Sequence, residues 1–140
     1  MALLTSKQCW LKYGDPEQSG KHMVTWQVPA TLQRGNIPKK VYCNKDLVAP
    51  LQVAFTNLVD RGLVDQLHTW DGCFCIRAKR GSKSMSLHSW GVAVDVNAST
   101  NQMGHQPTLT PAFVACFTDA GLEWGGNWST PDGMHFQLRG

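Results

Sequence analysis

The chain has 140 residues, 42% of them hydrophobic and 16% charged, a balance expected of one globular domain with its own core and incompatible with disorder. Its formal charge of only +3 excludes the concentrated basic face of a nucleic-acid binder, since the sole basic cluster is Arg77, Lys79, Arg80 and Lys83. No apolar run approaches about 18 residues, so no membrane insertion is expected.

From the N-terminus, residues 1–44 read as irregular and turn-rich, with Gly14-Asp15-Pro16 and Gly35-Asn36-Ile37-Pro38 as punctuation. Met23–Trp26 and Val41–Cys43 are short enough, and rich enough in β-formers, for brief strands. The opening stretch carries an apolar patch and lysines in the wrong order for a signal peptide, so no export leader is expected. A helix follows from about Val48 to Arg61. Leu51, Ala54, Phe55, Leu58 and Val59 recur at three- and four-residue steps, with Asp46 as the expected cap, Pro50 in the first turn and Gly62 as the stop. The segment from His68 to Arg77 has strand-like aromatic content. Val92–Asn97 and His135–Leu138 alternate as strands do. A second helix is announced by Thr110-Pro111, a cap followed by proline at the first helical position, and ends at Gly121. Helices and short strands intermix without a βαβ rhythm, which gives an α+β class with a small, mostly antiparallel sheet.

The odd count of five cysteines, and spacing without two close pairs, favour free and mostly buried thiols over a disulfide framework or a structural zinc module. On a strand, Cys73 and Cys75 would share one face, and a bond between them would be strained.

The chemistry concentrates in Ser86–Asn97 and Pro131–Leu138. In the first stretch Val92, Val94 and Val96 are expected on the core face, which puts Asp95, with Ala93 and Asn97, on the other. A carboxylate there, amid apolar residues, calls for a cation or several donors. A turn at Ser89-Trp90-Gly91 can bring His88 back beside it. In the second stretch His135 and Gln137 share a face, opposite Phe136 and Leu138, and Asp132 sits at the strand's mouth. Two neutral imidazoles and one carboxylate leave a fourth tetrahedral position for water, as a catalytic zinc site requires, and Asp132 is located to serve as general base. Any one of these residues alone would more ordinarily be a structural hydrogen-bonding group; the combination carries the signal. His22, His68 and His105 read as surface or hydrogen-bonding residues. Glu123 reads as an exposed carboxylate or a distant supporting partner, and the tryptophans at 90, 124 and 128 as cleft lining or core.

With SLHSWGVAVD at Ser86–Asp95 and DGMH at Asp132–His135, the sequence resembles the zinc peptidases of the VanY-type D-alanyl-D-alanine carboxypeptidase and phage L-alanyl-D-glutamate endopeptidase family. It meets every fixed position of that family's SxHxxGxAxD and carboxylate-x-x-His elements. The likeness runs through TWDGCFCIRAKRGSKS and GLEWGGNW, covering about residues 45–138 of a single domain that spans 1–140. It implies a hedgehog/DD-peptidase-like fold, Zn2+ held by His88, Asp95 and His135, and Asp132 as the base. It also implies an upstream arginine that binds or polarises the substrate carbonyl, matched by Arg77, with Arg80 as the alternative. The implied substrate is the stem peptide of peptidoglycan, cut by a monomeric enzyme of endolysin type, most readily at the L-alanyl-D-glutamate bond. A D-alanyl-D-alanine carboxypeptidase or a non-catalytic wall-peptide-binding module are the alternatives. Without a leader, such an enzyme would be made in the cytoplasm of its cell or host and reach the wall or periplasm after release by another protein.

Overall fold

The computed structural model describes residues 3–79 and 81–140. Its three α-helices and six strands are α1 (Ser6–Tyr13), β1 (Met23–Gln27), β2 (Lys40–Asn44), α2 (Lys45–Asp60), β3 (Trp70–Gly72), β4 (Ala93–Val96), α3 (Pro111–Thr118), β5 (Leu122–Trp124) and β6 (His135–Leu138). β1 and β2 form a two-stranded sheet; the other four form a sheet in the order β3-β4-β6-β5, and every pairing is antiparallel. The α+β class with small antiparallel sheets is what the intermixed patterns called for.

The main core lies between α2, α3 and the four-stranded sheet. Leu47, Leu51, Ala54, Phe55 and Leu58 of α2 meet Phe113, Cys116 and Phe117 of α3, and Val94, Val96, Leu122 and Phe136 supply the sheet's face. Each of these large side chains contributes about 1.5–3 kcal/mol by leaving water. The stack of Phe117 on Phe136, 4.5 Å between centroids, fixes β6 against α3.

Several local expectations are corrected. Residues 6–13, read as irregular, form α1. No continuous apolar stripe announces it. It is held by a reciprocal Thr5–Gln8 capping box and by Cys9 and Tyr13, which pack in a second cluster with Leu87, Trp90, Val92 and Ala93. α2 begins three residues earlier than expected because Asn44, not Asp46, caps it, accepting from the Asp46 N–H at 3.0 Å. Asp46 instead accepts the Tyr13 hydroxyl at 2.6 Å. Pro50 therefore lies beyond the first turn, inside the helix. The strand expected through Cys73–Arg77 stops at Gly72, where the register with β4 shifts; Cys73 is buried and Cys75 exposed, so their thiols do not share a face. Val92 precedes β4 and packs in the second cluster beside Ala93, leaving only Val94 and Val96 on the main core face. All five thiols are free, four of them buried.

Candidate metal centre

β4 and β6 set the centre of the site. They pair antiparallel with Asp95 directly opposite His135, so both side chains rise on the same sheet face, opposite the one that Val94 and Phe136 give to the core. His88 arrives from the short 3₁₀ turn Leu87–Trp90. Ser86 caps that turn, and Gly91 closes it at φ +68°. This is the reversal the Ser89-Trp90-Gly91 sequence called for. Gly91 is confined as well as left-handed: a Cβ there would come within 2.8 Å of the Asn44 backbone nitrogen and 2.6 Å of the Met23 methyl. Trp90, fully buried with its indole N–H on the Gly14 carbonyl at 2.8 Å, anchors the turn to α1.

His88, Asp95 and His135 offer ligand atoms that all lie within 4.8 Å of one another. His88 Nε2 is 3.1 Å from Asp95 Oδ2, and His135 Nδ1 is 3.5 Å from Asp95 Oδ1. Both imidazoles are buried. Their far nitrogens are already engaged. His88 Nδ1 donates to the Cys73 carbonyl at 2.6 Å, and His135 Nε2 donates to Gln137 Oε1 at 2.8 Å. With those protons pinned outward, lone pairs on His88 Nε2 and His135 Nδ1 turn toward the same carboxylate. Among the described residues His88 Nε2 and Asp95 Oδ1 are buried without a hydrogen-bond partner, and so is Asp132 Oδ1. Buried acceptors facing one another without donors are costly in a finished fold, and a cation among them removes the cost. Two nitrogens and one carboxylate oxygen are a donor set suited to zinc.

In the metal-free site the same point favours a proton. Burial opposes ionisation of Asp95, but the His135 and His88 imidazoles beside it outweigh burial and hold its carboxyl well below the usual range. Burial likewise pulls His135 down, and the Asp95 carboxylate reverses this to a net upward shift. Asp132 lies 3.9 Å from His135 Nδ1, and burial raises its carboxyl above the ordinary value. The loop that carries Asp132 is tied down at three points. Its backbone N–H donates to the Gly125 carbonyl at 2.9 Å, its carbonyl accepts from the His135 N–H at 3.1 Å, and the Trp124 indole donates to the Gly133 carbonyl at 2.8 Å.

The four residues open into a cleft of about 580 Å³ walled by Leu4, Met103, Trp128 and Met134. Arg77 is exposed at its edge, near enough to influence the Asp132 carboxylate. Its backbone is held by a two-way exchange with the Ser89 hydroxyl at 3.1 Å. Arg80, the alternative arginine, lies outside the described residues. Of the remaining candidates, His68 and His105 are exposed and His22 packs edge-on against Tyr13. Glu123 lies across β5–β6 from Gln137 and lines a separate hollow with Asn127 and Arg139. Trp128 lines the cleft with its ring 5.3 Å from that of His135, whereas Trp90 and Trp124 are structural. Three contributors were not singled out as site residues from the sequence: the Cys73 carbonyl, the Gln137 amide and the Leu3–Leu4 segment beside the cleft. Backbone groups leave no mark in side-chain patterns. Gln137 alone was visible, as a polar residue alternating with His135.

Residues 80–138 match the model of the D-alanyl-D-alanine carboxypeptidase family, the VanY-like zinc peptidases. The matched stretch contains His88, Asp95, Asp132 and His135; Arg77 and α1 lie before it. No curated protein and no solved structure matches the chain.

Proposed function

We propose, taking the family match of residues 80–138 as the premise, that this chain is a zinc-dependent peptidase of peptidoglycan peptides, with the metal held by His88, Asp95 and His135. The observation that carries this reading is the convergence of two imidazole lone pairs and an unpartnered carboxylate oxygen on one point, with a second buried carboxylate beside it.

A zinc ion held there by His88, Asp95 and His135 would supply Lewis acidity, polarising a carbonyl and making water more acidic. Asp132 takes the proton from the attacking water and returns it to the leaving amine. Its place beside His135, 3.9 Å from Nδ1 and half-buried in the cleft, suits both halves of that task. Arg77, at the cleft's edge, orients the scissile carbonyl and offsets charge that develops on its oxygen. No covalent intermediate is needed, so the cysteines stay outside the reaction.

For the bond cut, we favour the L-alanyl-D-glutamate linkage of the stem peptide. A cleft of about 580 Å³ is in the range that takes ligands of many atoms, more than a terminal D-alanine pair fills. The cations of Arg77 and Lys79 along it suit the free carboxylate of the D-glutamyl residue. The enzyme we envisage works as a monomer, without nucleic acid or membrane insertion, on wall exposed to it after release from a cytoplasm. Among the described residues no helix is long and apolar enough to cross a membrane. A binding module without catalysis would have no use for Asp132.

The test combines metal analysis of the purified protein with digestion of purified peptidoglycan and mass analysis of the fragments. One zinc per chain and new D-glutamyl amino ends support the reading. Free D-alanine instead makes the enzyme a D-alanyl-D-alanine carboxypeptidase, and absence of both zinc and cleavage overturns it.

A further inference from the structure

We propose that Gln137, itself held by the backbone carbonyl of Leu4, is a positioning residue that keeps the proton of His135 on Nε2 and so leaves the Nδ1 lone pair facing Asp95. This rests on the metal reading above and links Gln137, inside the family-matched stretch, to Leu4, which lies before it. Gln137 is only 3% exposed and stands opposite Ala93 in the β4–β6 register, two residues beyond His135 on the same sheet face.

An amide side chain can be turned either way. With its NH2 toward His135, the imidazole would have to accept on Nε2 and carry its proton on Nδ1. That proton would point at Asp95, giving an ordinary histidine–carboxylate pair with no lone pair to offer an ion. Leu4 removes this choice. Its carbonyl can only accept, and it lies 3.3 Å from Gln137 Nε2, so the NH2 is drawn there and Oε1 is left 2.8 Å from His135 Nε2. The position of Leu4 is in turn set by α1. Leu4 directly precedes the Thr5 cap, whose N–H donates to Gln8 Oε1 at 2.9 Å, and its side chain packs on the cluster that contains Cys9 and Trp90. The N-terminal segment thus reaches the metal centre through two hydrogen bonds, and Leu3 and Leu4 line the cleft at the same point.

The experiment compares the full chain with Gln137→Leu and Gln137→Glu, each also without residues 1–4. Two readouts serve: nitrogen–proton correlation spectra of the His135 ring in metal-free protein, and zinc affinity by competition with a chromogenic chelator. Gln137→Leu is expected to mix the His135 tautomers and to weaken zinc by about 10–100-fold, the usual worth of a group that orients a ligand. Gln137→Glu is expected to keep one tautomer, because a carboxylate accepts whichever way it is turned. For the same reason, removal of residues 1–4 should weaken zinc binding in the Gln137 protein and leave the Gln137→Glu background unaffected. A single Nε2–H tautomer persisting in Gln137→Leu overturns the proposal, as does an equal cost of the deletion in both backgrounds. Where thermal unfolding shows that the shortened chains do not fold, the two full-length variants decide. Failure of the unaltered protein to bind zinc would strike the metal reading and still leave the tautomer result to be read.

Discussion

His88 Nε2 and Asp95 Oδ2 stand 3.1 Å apart and make no hydrogen bond with one another. The proton that could have joined them sits on the far side of the ring, on the Cys73 carbonyl. What looks by distance like an ion pair is, with the imidazole neutral, a pair of acceptors held face to face, an arrangement that a cation relieves.

Replacing Asp95 by asparagine separates these roles. The new amide can donate to one imidazole, so at alkaline pH, where His135 is neutral, metal-free Asp95→Asn should be at least as stable as the unaltered protein. Its zinc affinity should fall by more than the about 10–100-fold that an orienting partner is worth. Calorimetric titration of metal-free protein with zinc, beside thermal unfolding, checks both halves.

Asp132 is expected to behave differently. Asp132→Ala should retain zinc while turnover of wall peptide drops by about 10²–10⁴-fold, the range for a lost general base. Undiminished turnover would remove Asp132 from the reaction.

Stability of the metal-free protein should depend on pH from both sides of the Asp95–His135 contact. His135 binds its proton more tightly folded than unfolded, so its contribution is complete below about 6.5 and disappears as pH rises through the folded value. Asp95 binds its proton more weakly folded than unfolded, so its contribution is present above about 3.8 and disappears as pH falls through the folded value. Denaturant melts across pH 3–9 should show a maximum between these limits. With zinc present the alkaline loss should vanish, because the metal takes the neutral imidazole.

Gly91→Ala tests the turn. A side chain at φ +68° is strained, and this one would press on the Asn44 backbone, whose N–H donates to the Gly91 carbonyl at 3.0 Å. A loss of about 1–3 kcal/mol in unfolding free energy is expected. Weaker zinc binding should accompany it, since His88 lies in that turn.

The helices at 45–60 and 111–118 were legible because their buried faces repeat and proline and glycine punctuate them. β4 and β6 were legible by alternation, and His88, Asp95, Asp132 and His135 by their spacing within two short motifs. α1 was not, because its stability comes from packing on Trp90, about eighty residues away in sequence. The early end of β3 escaped notice for a related reason: Cys73–Arg77 has strand-forming side chains, yet the Cys73 carbonyl is engaged by His88 and the Cys75 N–H donates to the His88 carbonyl. Tertiary demand overrode local preference there.

The direct pairing of Asp95 with His135 has one more effect. Side chains on a strand change faces at every step, so sliding β6 by a single residue along β4 would bury Phe136 among the ligands and turn His135 into the core. Partial misalignment cannot leave a weakened centre; it leaves none. On the proposed metal reading, zinc content in a preparation would therefore count the molecules whose β6 has found its proper neighbour.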